Sequence, residues 1–194
     1  MTDSNKDIVV IIGKLVLISV IASALLAVTY VPTNEQLKKN YAEARTSTLA
    51  EIMPSAAEFE AVYGDAVIND EGDKEILYYR AKDSSGNLIG YAFFRKQVGA
   101  QGMIEVAGGV DSSFNAITGI GIMSHTETPG LGSKIADAPF KSQFTNVKVA
   151  DLSLSKSGGA IDSITGATIS SQAVIDALNQ QVGDIKGAEA ETEV

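Results

Sequence analysis

The stretch Ile76–Phe94, ILYYRAKDSSGNLIGYAFF, decides the fold class. Ile76–Ala81 and Leu88–Phe94 are rich in Tyr, Ile and Phe and repeat with a period of two, as a β-strand does. Between them, Asp83-Ser84-Ser85-Gly86-Asn87 is a cluster of turn formers. The segment predicts a β-hairpin. Downstream, Gly102–Val106 and Ala116–Met123 read as two further strands, with Gly108-Gly109 and Asp111–Asn115 as the turn between them. Val147–Leu154 is a fifth strand candidate. Residues 169–182, ISSQAVIDALNQQV, place Ala173, Val174, Ala177 and Leu178 on one face and predict an amphipathic helix. Mostly antiparallel strands with helices segregated at both ends predict an α+β domain.

Upstream of the hairpin the pattern changes twice. Residues 8–31, IVVIIGKLVLISVIASALLAVTYV, are interrupted by a single charge, Lys14. About 20 apolar residues in a helix cross a bilayer core, so this run predicts a transmembrane helix. The Lys14 ammonium can snorkel to the near interface, and Tyr30 suits the far one. Ala22-Ser23-Ala24 is also a small-residue site of the kind that signal peptidases cleave. The apolar run continues past it to Val31, which favours an uncleaved anchor. Lys6 and Lys14 precede or enter the run while Lys38, Lys39 and Arg45 follow it, so charge alone does not set the orientation. Residues 33–52 then predict a helix that starts after Pro32 and ends near Pro54, with a second short helix around Ala56–Val62. The tail from Gly187 carries Glu189, Glu191 and Glu193 and is expected to be disordered.

Composition removes several chemistries. The chain of 194 residues has no cysteine, which excludes disulfides, thiolate zinc sites and cysteine-ligated iron–sulfur clusters. It has one histidine, His125, so no multi-histidine metal site can form within one chain. Any redox carrier is therefore expected to be organic, and no metal site is expected. The net charge of −9 belongs wholly to residues 32–194, because the four charges before them cancel. Phosphate repels a domain that acidic, so nucleic acid is not an expected partner.

Two motifs carry the chemistry. The first is Asp162-Ser-Ile-Thr165-Gly166-Ala167-Thr168-Ile-Ser170-Ser171, which leads into the last helix. Small residues let a ligand approach the backbone, and the N-terminal end of the helix offers free N–H groups and a positive dipole to an anion such as phosphate. Ordinary capping by Thr or Ser accounts for the same residues. The second is Ser124-His125-Thr126-Glu127-Thr128-Pro129-Gly130-Leu131-Gly132, on a loop at a strand end. Pro fixes φ and Gly permits positive φ, so the loop presents rigid amides against which a flat ring can lie. A solvated or turn-bonding role for Glu127 and His125 fits the residue types equally well.

Taken together, His125-x-Glu127-Thr-Pro-Gly-Leu-Gly132 and Thr165-Gly-Ala-Thr168 resemble the FMN-binding domain family. The anchor and the length resemble the G-subunit family of Rnf electron-transport complexes. The C-subunit family of sodium-pumping NADH:quinone reductases shares the domain. The resemblance implies FMN bound covalently as a phosphoester of Thr168, installed by a separate flavin transferase from FAD with magnesium. It makes Thr168 a modified residue rather than a catalytic one. It implies that Thr165, Gly166, Ala167, Glu127, Thr128, Gly130, Leu131 and Gly132 lie at the cofactor and that Lys156 is a cation near it. His125 is expected to be structural. The implied location is the cell (inner) membrane, single-pass, with the soluble domain outside the cytoplasm.

The expected layout is a short tail at 1–7, the transmembrane helix at 8–31, linker helices at 32–63, the FMN-binding domain at 64–186 and an acidic disordered tail at 187–194. The expected function is electron transfer within an Rnf-type ferredoxin:NAD oxidoreductase that translocates ions, alongside other membrane and redox subunits. The chain has no dinucleotide fingerprint, so it is not expected to turn over substrate alone. Delivery of electrons to a different extracytoplasmic reductase, or to an Nqr-type enzyme, is the alternative circuit.

Overall fold

The computed structural model of the chain describes residues 2–67 and 74–192. It divides into two compact units, Met1–Ala44 and Arg45–Val194. Helix α1, Thr2–Ile52, supplies the described part of the first unit and opens the second.

In the first unit the large apolar side chains from Ile8 to Tyr30 stand out from the helix on every side, each more than half exposed. A helix that is apolar all round matches a bilayer rather than water, and this one is long enough to cross it. Pro32 lies inside the helix instead of ahead of a new one. Proline has no N–H and frees a carbonyl one turn back. Next to it the Thr33 hydroxyl donates to the Thr29 carbonyl at 2.7 Å, the kind of side-chain bond that keeps such a helix continuous.

The second unit is a five-stranded antiparallel sheet in sequential order: β1 Glu58–Val67, β2 Lys74–Lys82, β3 Leu88–Val98, β4 Met103–Asp111 and β5 Ile117–His125. The hairpin expected from Ile76–Phe94 is β2–β3. The Asp83 carboxylate closes it by accepting from the Ser85 and Asn87 amides, with Gly86 at φ +82°. After β5 come a short helix α2, Ala138–Lys141, several single helical turns, and the long helix α3, Thr168–Thr192.

One face of the sheet is covered by α3. Phe93, Ile104, Val106 and Val110 of the sheet meet Val174, Leu178, Val182 and Ile185 of the helix in the larger core. The other face is lined by small residues, Ala81, Ala92 and Ala107, and receives Leu49, Ile52 and Met53 at the end of α1. Gly119 admits this helix end, since a Cβ there would stand 3.2 Å from the Ile52 backbone. The guanidinium of Arg45 lies 4.0 Å above the Phe94 ring on the same side. The second compact unit thus begins at Arg45.

Four local expectations are corrected. Ala56–Val62 is not a helix, because β1 starts at Glu58 and pairs with β2, its Glu60 bridging Lys82 at 2.7 Å. The alternation Glu58-Phe-Glu-Ala suits a strand edge once Pro54 has stopped α1. Gly108-Gly109 lies within β4, not in a turn, paired with Phe93 and Ala92 of β3; glycine stands at 108 because a Cβ there would collide with Leu178 and Phe93 at 2.5–2.6 Å. The turn is made by Asp111, whose carboxylate accepts from the amides of Ser113, Asn115 and Ala116. Val147–Leu154 is a loop with a helical turn at Val149–Asp151, held by single bridges Ala116↔Lys148 and Leu154↔Ile161. Its apolar residues plug the core without forming a ladder, Leu152 and Leu154 being buried.

The fourth correction concerns the acidic tail. Over residues 187–192 it continues α3 instead of being disordered, and residues 193–194 lie outside the described residues. Its Glu189 accepts from the Tyr78 and Tyr91 hydroxyls and pairs with Arg80 at 2.8 Å. One turn earlier, Arg95 of β3 pairs with Asp184 at 2.6 Å and bonds Gln181 at 2.7 Å. Glu189 and Asp184 therefore pin the helix to β2 and β3.

Candidate functional site

Each motif folds as a four-residue turn with glycine in third place. In Thr128-Pro129-Gly130-Leu131 the Leu131 N–H donates to the Thr128 carbonyl at 3.2 Å, and Gly130 has φ +73°. In Ile164-Thr165-Gly166-Ala167 the Ala167 N–H donates to the Ile164 carbonyl at 2.9 Å, and Gly166 has φ +80°. A turn with positive φ at its third residue selects glycine there, and Pro129 suits the second place. The two turns meet. A Cβ on Gly166 would lie 3.0 Å from Cδ1 of Leu131, whose side chain covers the glycine.

The turn at 164–167 delivers the chain into α3. Thr168 is its first residue and is exposed, as is Thr165, while Ala167 is buried. The first intrahelical bond runs from the Ser171 N–H to the Ala167 carbonyl at 3.0 Å. The N–H groups of Thr168, Ile169 and Ser170 precede it and have no partner within the helix. They give the N-terminus of α3 a partial positive charge beside the Thr168 hydroxyl. The Ser171 hydroxyl accepts from the Ile164 N–H at 3.1 Å and donates to the Ala167 carbonyl at 3.0 Å, stapling the turn to the helix. Ser171 thus ties the turn to the helix without capping its free N–H groups, and among the described residues the Thr168 hydroxyl makes no hydrogen bond.

Glu127 turns inward. Its side chain is buried with the residue 4 % exposed. One carboxylate oxygen accepts from the Ser170 hydroxyl at 2.5 Å, and the other from the Gln101 N–H at 3.0 Å in the turn between β3 and β4. Burial pushes the carboxyl up, but the Ser170 hydroxyl and the amides of Gln101, Ala100 and Gly102 outweigh it and hold it below the ordinary carboxylate range. Gly132 completes the contact, because a Cβ there would lie 2.8 Å from the Glu127 carboxylate and 3.0 Å from the Ser170 hydroxyl.

The structure therefore brings Glu127, Leu131 and Gly132 of one motif against Gly166 and Ser170 of the other. Thr128, Pro129 and Gly130 all stand exposed on their turn, next to the buried Glu127. Lys156 is exposed on the turn Ser155–Ser157, and among the described residues no hydrogen bond or ion pair joins it to either motif. His125 ends β5 opposite Ile104, and its Nδ1 is buried with no hydrogen-bond partner among the described residues. Sequence reasoning missed Ser170 as a contact residue, and with it the 99–102 turn. Ser170 stands in the first motif, but nothing in its spacing shows that a carboxylate 43 residues away in the chain meets it.

A groove of about 370 Å³ adjoins the second turn, with Lys134, Phe140, Asp162 and Ile164 among its walls. The Asp162 N–H is fixed there by the Gln143 side chain at 2.8 Å. Two exposed apolar side chains lie on this surface: Ile169, next to Thr168 in the chain and 65 % exposed, and Leu131, over Gly166 and 39 % exposed. An exposed hydroxyl, free helix amides, glycine turns and apolar flanks suit a flat ring system that carries a phosphate.

Residues 99–182 match the family described as FMN-binding domain. The chain is 51 % identical over 189 residues to the G subunit of the ion-translocating oxidoreductase complex of Methanosarcina acetivorans, covering 97 % of this chain and 100 % of that one. It is 32 % identical over 181 residues to the G subunit of the Na(+)-translocating ferredoxin:NAD(+) oxidoreductase complex of Acetobacterium woodii, covering 87 % and 86 %. Among solved structures it is similar to the C subunit of the Na(+)-translocating NADH-quinone reductase of Parabacteroides distasonis. That likeness has 24 % identity and a TM-score of 0.49 over 68 % of this chain and 77 % of that one.

Proposed function

We propose, from the premise that this chain belongs to the G-subunit family of ion-translocating oxidoreductase complexes, that it is their membrane-anchored, FMN-carrying electron-transfer component. Its working partners are the other subunits of such a complex. The single candidate span in α1 attaches it to the membrane. We place that membrane at the cell boundary, with the folded unit on its extracytoplasmic side.

The observation that carries the reading is the exposed Thr168 hydroxyl at the first turn of a 25-residue helix, where the two motif turns converge. The attachment is a phosphoester at Thr168 Oγ1. A separate flavin transferase forms it from FAD, with release of AMP and of the threonine proton. The N–H groups of Thr168, Ile169 and Ser170 offset the phosphate charge. Gly130 and Gly166 keep the backbone of both turns open to close approach, and Leu131 and Ile169 offer apolar surface to a ring. Thr165, Ala167, Thr128 and Gly132 complete the surround, with Lys156 as a cation on a neighbouring turn. FMN, when bound, supplies one- and two-electron chemistry that no side chain of this chain offers. A covalent tether prevents its loss by dilution and fixes its effective concentration near redox partners.

The test is coexpression of the full chain with a flavin transferase, followed by intact mass measurement and in-gel fluorescence after denaturation. The expected result is the mass increment of one FMN and a fluorescent band. A protein of unmodified mass from a host with an active transferase defeats the reading.

A further inference from the structure

We infer that Glu127 is a positioning residue: through Ser170 and the 99–102 turn it holds the frame in which Thr168 is presented, and it does not touch the flavin. The inference rests on the reading that Thr168 carries the flavin.

Both carboxylate oxygens are already used inside the protein, one by the Ser170 hydroxyl and one by the Gln101 amide. The space around them fits a carboxylate closely. A Cβ on Gly99 would collide with one oxygen, and a Cβ on Gly132 would lie 2.8 Å from the other. Three segments remote in sequence therefore converge on one side chain: the β3–β4 turn, the loop at 127–132 and the first turn of α3. Ser170 is 1 % exposed and lies two residues beyond Thr168 in that same turn. The first turn cannot shift relative to the 127–132 loop without breaking a buried, charge-assisted hydrogen bond. Ser171 performs the matching task on the other side by bonding Ile164 and Ala167. Adjacent serines thus fix the helix start against both motif turns and leave Thr168 exposed.

Charge is part of the device. A glutamine at residue 127 has the same size but only one accepting oxygen. Its oxygen can still accept from the Gln101 N–H while its NH2 group donates to the Ser170 oxygen. The link to Ser170 is then a neutral hydrogen bond in place of a charge-assisted one, and is weaker. An alanine at 170 leaves a buried carboxylate oxygen without its donor.

The experiment uses the full chain purified in detergent without flavin, then incubated with flavin transferase, FAD and magnesium. Glu127→Gln and Ser170→Ala are compared with the parent, with Thr168→Ala as control. Flavin addition per folded molecule is followed by intact mass, and the phosphorus resonance of the product is recorded. Expected is a rate reduced about tenfold or more in both variants, as small misplacements of a reacting group produce, with a shifted phosphorus resonance. A role confined to fold stability predicts a lower unfolding midpoint with unchanged rate and resonance, and that result overturns the inference. If Glu127→Gln does not fold, Ser170→Ala decides alone, since it deletes one hydroxyl in favour of the best helix former. Flavin addition to Thr168→Ala at the parent rate removes the attachment reading itself, and a variant effect then has another cause.

Discussion

Leu131 rests on Gly166, so the loop after β5 and the turn before α3 form one surface at the first residue of the helix. Thr168 stands on that surface without an internal side-chain hydrogen bond among the described residues. Thr168→Ala is therefore expected to leave stability within about 0.5 kcal/mol of the parent, as exposed substitutions do. The same variant is expected to lose all covalent flavin. Urea unfolding and in-gel fluorescence check the two halves separately, and a fluorescent band in the variant refutes the second.

Gly166→Ala strikes the same surface differently. Residue 166 needs φ +80° and has Leu131 at 3.0 Å from its missing Cβ. Forcing a side chain into the left-handed region costs about 1–2 kcal/mol, and the close contact adds to it. A loss of about 1–3 kcal/mol in denaturant unfolding is expected from the strain and the contact together, with reduced flavin loading. Parent-like stability speaks against the turn described for residues 164–167.

The Glu189 carboxylate joins the end of α3 to Tyr78 and Arg80. Glu189→Ala strands both partners, part-buried, and is expected to cost about 1–3 kcal/mol. The tail amides from Ile185 onward should then exchange hydrogen faster, while those near Ser170 keep their protection. Uniform protection across α3 in the variant contradicts the clamp.

Acid sensitivity follows from two carboxylates. Burial pushes both Glu127 and Glu189 up, but hydrogen bonds from Ser170 and backbone amides in one case, and from Tyr78 and Arg80 in the other, hold them below the ordinary range. A depressed folded-state pKa contributes stability that is present above the unfolded value, about 4.3, and is lost as pH falls through the folded value. Unfolding free energy is expected to drop as pH falls below about 5, and less so in Glu189→Gln. Tyr78, pushed up to about 12 by burial and by Glu189, adds stability below about pH 10 that disappears as pH rises through its folded value.

Truncation tests where the folded unit starts. Leu49, Ile52 and Met53 are buried against the sheet, and each such side chain contributes about 1.5–3 kcal/mol on burial. A fragment from residue 33 is expected to be soluble and folded, while one from residue 54 aggregates or unfolds. Equal melting temperatures for the two fragments exclude a structural role for the end of α1.

The hairpin at Ile76–Phe94 is readable from sequence because its period and its turn residues are local properties. The apolar span is readable for the same reason. The motif at 162–171 carries its small residues and its helix start in the sequence. What the sequence conceals is long-range. Gly108-Gly109 has turn chemistry by residue type, and only the positions of Leu178 and Phe93 show that it makes room for packing. Glu189 looks like a solvated tail charge until Tyr78 and Arg80 are beside it. Glu127 lies in a loop motif, yet its partners come from residues 101 and 170. Residues 147–154 have the apolarity of a strand, but their bonds go to isolated bridges rather than a ladder.

Leu49, Ile52 and Met53 leave the ribosome ahead of the five strands, whereas α3 follows all of them. The alanine-lined face of the sheet thus finds its cover waiting when it forms. The opposite face, with Phe93, Ile104 and Val106, stays bare until α3 has been translated. During synthesis that late-covered face is the surface most exposed to wrong association, and quality-control factors that shield apolar sheets have most to do there.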